Sequence, residues 1–196
     1  MKKFLHFRLE DIVPKGLEKS FTYSELDDSC LFKRQTLSAC TVYRELITQI
    51  KKNIDPNCRF LSKEQENDIA VSISADILFY LFTYFYCRFC YLSPYERPFV
   101  AMREIEEDEF HLEMQVKAEV YQIFPNIEQL LEKAKYLSKV CGFTVCKTDT
   151  DAGVKLSFCL KAEKSSKYVR FSVLAFSRVK RFVLCAISAA KNDRVK

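Results

Sequence analysis

The chain has 196 residues, 48% hydrophobic and 29% charged, with a formal net charge of +5, which suits one large globular domain or a domain with an appendage. Its three glycines, Gly16, Gly142 and Gly153, never lie within ten residues of one another. That excludes a P-loop and a dinucleotide fingerprint, because both need clustered glycines so that backbone N–H groups can converge on an anion.

Charge is unevenly placed. Residues 161–196 hold ten Lys/Arg against Glu163 and Asp193, a local +8, which leaves −3 for residues 1–160. Such a basic extension can meet nucleic acid, anionic lipid or an acidic protein face, or can simply be a solvated surface. The N-terminus, MKKFLHFRLEDIV, breaks its short apolar run with charges and offers no small-residue cleavage site, so no secretory signal is expected. The nine cysteines, at 30, 40, 58, 87, 90, 141, 146, 159 and 185, are odd in number and mostly set among apolar neighbours. Reduced, buried thiols in a cytoplasmic protein are the expectation.

Along the chain, Phe4, Phe7, Leu9, Ile12 and Val13 suggest a short helix ended by Pro14-Lys15-Gly16, and Phe21 to Leu26 the start of another. Residues 34–52 carry a helical stripe of Leu37, Cys40, Tyr43, Ile47 and Ile50, with Val42 and Leu46 alongside. The stripe suits packing against a partner helix, in this chain or in a second copy. The turn-rich stretch NIDPNCRFLS, residues 53–62, marks a domain boundary. This divides the chain into a helical N-terminal region, 1–58, and an α/β region, 59–196, with the basic extension 161–196.

Ile69–Ile73 reads as a short strand. The segment Ser74–Pro94, SADILFYLFTYFYCRFCYLSP, begins with an N-cap signal at Ser74, with Asp76 in the first turn, and then carries apolar or aromatic residues at almost every position. It is a helix buried on most of its circumference. Its length, its tyrosines, Thr83 and Arg88 argue against a membrane span. Pro98–Ile105 and Phe110–Val120 alternate as two strands of a hairpin around Glu106-Glu107-Asp108, and the seven acids between 103 and 119 fit its solvent face. Pro125 is placed to open a helix in its first turn, with a stripe of Ile127, Leu130, Leu131, Ala134 and Leu137 and a cap at Gly142. Phe143–Thr148 and Val154–Leu160 form a second hairpin. Residues 167–190 fit either two strands or a helix bearing Val169, Val173, Phe176, Val183 and Ile187; β-branched and aromatic content favours strand for Tyr168–Phe176.

From about residue 68 to 161 the order is strand, helix ending in Ser-Pro, hairpin, helix, Gly, hairpin. Together with IAVSISADILFYLF, CRFCYLSP and IEQLLEKAKYLSKVCGFTVCKTDTDAGVKLSFCLK, this order resembles the ATP-binding module of sensor histidine kinases, a fold shared with gyrase. The resemblance covers roughly half the chain. It implies an α+β two-layer sandwich, a mixed sheet packed on helices, preceded by a short helical region. It also implies that residues 34–52 stand where the family keeps a dimerising helix. The nucleotide machinery is missing. Where the family's long helix presents its magnesium-binding asparagine and neighbouring polar groups, this chain carries Thr83, Tyr86 and Cys87, and neither a bulky phenol nor a thiol suits a hard cation. The adenine-reading Asp-x-Gly-x-Gly turn falls on AEVYQIFP, residues 118–125, which has no Asp and no Gly, and no room remains for a lid. Helix 34–52 contains no histidine; His6 and His111 are the two candidate phosphoacceptors, and neither is followed by an acid.

The implied function is a non-catalytic signalling or regulatory protein, with no cofactor, acting by contact with another protein of its pathway and as a candidate homodimer. The alternative is a nucleic-acid-binding module in which Arg170, Arg178, Lys180 and Arg181, interleaved with Phe171, Phe176 and Phe182, form a basic and aromatic surface. The Cys87/Cys90 pair lies inside an apolar helix with no second paired motif, which fits core packing rather than zinc or redox chemistry.

Overall fold

A computed structural model describes residues 34–61, 69–106, 108–163 and 179–192. The described elements, in order, are β1 (Gln35–Ser38), α1 (Ala39–Asn53), β2 (Arg59–Phe60), β3 (Ala70–Ile73), α2 (Ala75–Leu92), β4 (Phe99–Glu106), β5 (Glu109–Val116), α3 (Ala118–Gln122), α4 (Ile127–Val140), β6 (Phe143–Thr150), β7 (Gly153–Lys161) and α5 (Val179–Asn192). A five-stranded sheet runs in the order β2-β4-β5-β7-β6, and β1 and β3 form a separate two-stranded sheet. In the large sheet β2 pairs parallel with β4, and every other pairing is antiparallel. The molecule is therefore α+β, with a mixed sheet packed against helices, as the sequence implies.

The centre of the packing is α2. Every residue from Ala75 to Cys90 is buried. A helix with no polar face has to be enclosed on all sides, because each exposed apolar side chain would forgo roughly 1.5–3 kcal/mol of burial. The enclosure is visible ring by ring. Phe82 meets Phe158 of β7 at 5.0 Å between centroids, and Phe85 and Phe89 meet Phe124 at 6.2 and 5.3 Å. Against α2 also packs α5, whose buried Phe182, Val183, Ala186, Ala189 and Ala190 face the core. Alanine at three of these places lets the two helix axes approach closely. No helix among the described residues is long and apolar enough to cross a membrane.

Residues 34–52 do not form one helix. Gln35–Ser38 is a strand paired antiparallel with Ala70–Ile73. Ser38 ends it in an extended conformation and accepts a hydrogen bond from the Thr41 backbone N–H at 3.0 Å, so that the helix starts at Ala39. Leu37 thus belongs to a strand. The apolar stripe that suits a partner helix, Val42, Tyr43, Leu46, Ile47 and Ile50, is buried against α2 and α5 of the same chain. One hydrophobic cluster runs from Leu37 to Ala190, across the turn at 53–62.

The remaining differences are local. The strand expected through Val120 stops at Val116, and Ala118–Gln122 turns into a short helix. Pro125 does not occupy the first turn of α4. It precedes the N-cap Asn126, which adopts φ +57°, and the helix begins at Ile127. Proline biases Phe124 away from helical backbone, and asparagine tolerates the left-handed region that redirects the chain.

At the other end of α4, Gly142 takes φ +86°. A Cβ there would stand 2.2 Å from the Ser72 carbonyl oxygen, so the residue is needed both as a cap and for close approach. The Arg34 guanidinium donates to the carbonyls of Lys139 and Val140 at 3.0–3.2 Å, satisfying the same helix end.

Of the ambiguous stretch 167–190, residues 179–192 are helical. The strand expected for Tyr168–Phe176 lies outside the described residues, as do the helices expected before residue 34.

Candidate functional site

The three α2 positions singled out by the sequence, Thr83, Tyr86 and Cys87, are all 0% exposed. Tyr86 is held by a side chain that the sequence does not advertise: its hydroxyl donates to Oδ2 of Asp55 at 2.9 Å. Asp55 is itself buried. Its Oδ1 accepts the Asn57 N–H at 3.0 Å, and the Arg97 Nε lies 3.7 Å from Oδ2. Arg97 also donates to the Cys90 carbonyl at 3.4 Å. A ring of Asp55, Tyr86 and Arg97 therefore ties the turn after α1 to the C-terminal half of α2.

Burial dominates the titration of this group. Desolvation first, then the neighbouring thiols and Asp55, holds the Tyr86 phenol far above its ordinary value. Burial pushes the Cys87 thiol up as well, and the Cys90 thiol up to about 11. Thr83, Tyr86 and Cys87 are thus closed off from solvent, and Tyr86 already has its partner in Asp55. Thr83 Oγ1 has no hydrogen-bond partner among the described residues, an omission that costs roughly 1–3 kcal/mol.

Two surface hollows lie beside the end of α2. One, of about 410 Å³, is lined by Arg59, Tyr95, Glu96, Arg97, Gln115 and Lys117 among others. The other, of about 360 Å³, includes Asn53, Cys90, Tyr91, Arg97 and Lys191. Neither is lined by Thr83, Tyr86 or Cys87. Their shared wall is Arg97, and the loop between α2 and β4 presents Tyr95 at 96% exposure. Lys117 is paired with Glu96 across the first hollow. The rim is thus basic, with an exposed aromatic ring.

The other expected residues are scattered. His111 sits on β5, on the sheet face away from α2, with Nε2 2.7 Å from Glu109 Oε1; it is not on a helix. Lys180 is exposed on α5, and Arg181 lies in the same helix. Phe182, expected on a stacking surface, is instead in the core, because the segment is a helix whose apolar side faces α2. Arg170, Arg178 and His6 lie outside the described residues. Asp55 was missed because an Asp-Pro pair in a turn-rich stretch reads as a turn, and its partner Tyr86 is 31 residues away. No protein-family model matches this chain, and no curated protein does.

Proposed function

We propose that the chain is a non-catalytic signalling or regulatory module derived from a histidine-kinase-type ATPase domain, acting by contact with another protein and without binding ATP. Tyr86 carries this reading. At a position where the resemblance calls for a magnesium or phosphate ligand, a fully buried phenol is bonded to Asp55, with fully buried Thr83 and Cys87 beside it. The element order between Ala70 and Lys161, namely strand, long helix, hairpin, a short and then a longer helix, and hairpin, supports descent from that module. The buried helix positions support the loss of its chemistry.

The contact surface in this reading is the rim at the end of α2. Tyrosine and arginine are the residue types that most often anchor protein interfaces, and here Tyr95 stands exposed beside Arg59, Arg97 and Lys117. The matching partner face is acidic.

Calorimetric titration of the full chain with ATP and magnesium tests the first half, with no binding heat expected. A micromolar affinity would overturn the reading. For the second half, any protein that co-purifies specifically with the chain should be lost when Tyr95→Ala and Lys117→Glu are combined, and its retention would rule out this surface.

A further inference from the structure

The sheet face turned away from α2 is built of cross-strand rows. Arg103, His111, Cys159 and Thr144 form one row across β4, β5, β7 and β6, and Ala101, Glu113, Ser157 and Cys146 form the next. Most charges in these rows are matched. Glu113 is buried and takes Arg103 on Oε2 and Lys155 on Oε1, each at 2.8 Å. Glu109 differs. Lys161 lies 3.1 Å from its Oε2, while among the described residues its Oε1 meets His111 Nε2 at 2.7 Å. His111 and Cys159 are directly opposite in the β5–β7 ladder, and Glu109, two residues before His111, points to the same face.

We propose that Glu109, His111 and Cys159 form a binding site for a divalent transition-metal ion of the zinc type. Their ligand atoms all lie within 4.8 Å of one another. A tetrahedral zinc site, with metal–ligand bonds of about 2.0–2.3 Å, holds its ligand atoms roughly 3.3–3.8 Å apart. The carboxylate and imidazole need to open slightly, and the thiol to swing inward, for an ion to sit between them.

The donor set selects the metal. Imidazole nitrogen, thiolate sulfur and carboxylate oxygen suit zinc and its neighbours, not magnesium or calcium, which take oxygen. The ion takes the place of the proton between His111 Nε2 and Glu109 Oε1, leaving a neutral imidazole with its proton on Nδ1, and the thiol proton of Cys159 passes to solvent. One carboxylate and one thiolate then neutralise its charge. Lys161 stays on the outer carboxylate oxygen and orients it, as an outer partner does in metal sites. The exposed Cys146 thiol lies next to Cys159. All three ligands stand on paired strands, so the framework is already rigid.

Cobalt(II) titration of the full chain under a non-thiol reductant tests the site. The expected result is one ion per chain, intense tetrahedral visible bands with a thiolate charge-transfer band, and displacement by zinc. His111→Ala and Cys159→Ser should each weaken binding by more than the roughly 10–100-fold that loss of an outer partner costs, and Cys40→Ser should leave it unchanged. Glu109→Gln, which keeps the hydrogen bond to His111, serves as the variant least able to disturb folding and should also weaken binding. In parallel, zinc should raise the melting temperature of the wild-type chain and not of His111→Ala. Absence of the thiolate band, or the same affinity in wild type, His111→Ala and Cys159→Ser, would overturn the proposal.

Discussion

The two faces of the five-stranded sheet use polar groups in opposite ways. On the α2 face, polar and titratable side chains are sealed in. Tyr86, Cys87 and Thr83 are fully buried, and Tyr86 is bonded to the equally buried Asp55. On the other face, the half-buried Glu109, His111 and Lys155 stand in rows and pair with one another or with the buried Glu113. Sequence places the candidate chemistry on the first face, because the resemblance leads to α2. Among the described residues, the convergent donor set of Glu109, His111 and Cys159 lies on the second. Polar side chains on the helix thus serve packing, while the opposite surface of the same sheet collects groups of the kinds that bind ligands.

The sharpest way to break this contrast is to truncate one side chain on each face. Phe82 is 0% exposed and packs 5.0 Å from Phe158, at the junction of α2 and the sheet. Phe82→Ala should cost about 3–5 kcal/mol, the transfer loss plus the cavity. Thr144→Ala, at an exposed position on the opposite face, should change stability by no more than about 0.5 kcal/mol. Urea unfolding of both variants measures the difference. Comparable losses would mean that the outer face is covered as tightly as the inner one.

A second test uses proton linkage. Burial, the largest cause in each case, raises the Cys90 thiol to about 11 and the Cys141 and Cys159 thiols to about 12, from an ordinary value of 9.0; Cys58 is also raised. In the native state these thiols stay protonated where the unfolded chain has lost its protons. Their contribution is therefore fully present below about pH 9. It is lost as pH rises towards 11–12, at about 1.4 kcal/mol per pH unit for each such thiol. Urea midpoints measured from pH 8 to pH 11 should fall steeply with an unchanged slope, and a flat profile would contradict the burial. In the native protein at pH 8 a thiol reagent should modify Cys146 first among the described cysteines, since it is exposed. Cys58, Cys87, Cys90, Cys141 and Cys159 should react only on unfolding.

How much of this was legible depends on how far apart the cooperating residues are. The α2 helix, the two hairpins and the stripe of α4 follow from spacing within a dozen residues, and they stand nearly where the sequence puts them. The start of α1 was misplaced because Leu37 continues the helical stripe by accident, whereas Ser38 caps the helix and the preceding residues pair with β3, more than thirty residues on. Nothing local tells Asp55 that Tyr86 will need an acceptor. Likewise, the hairpin at Glu106–Asp108 is readable, but the β5–β7 pairing that sets His111 opposite Cys159 spans 48 residues and has no turn to announce it. The burial of Phe182 depends on α5 meeting α2, which periodicity over an ambiguous segment does not decide.

The smallest expected effect concerns Arg88, the one buried cation among the described residues. Arg88 is 4% exposed; its Nη1 donates to the Ala190 carbonyl at 3.4 Å, and its guanidinium lies 5.0 Å from the Phe124 ring. Its Nε has no partner among the described residues, and none of the ion pairs among them includes it. A buried charge compensated by one long hydrogen bond and one ring recovers little of its desolvation cost. An apolar side chain of similar length should therefore do as well. Arg88→Met is expected to leave the urea midpoint within about 1 kcal/mol of wild type or to raise it. Arg88→Ala, which opens a cavity against Phe124 and α5, should lower it by about 2 kcal/mol or more. If Met proves as damaging as Ala, the guanidinium itself holds α2 to α5, and the sealed layer depends on a polar bond as much as the outer face does.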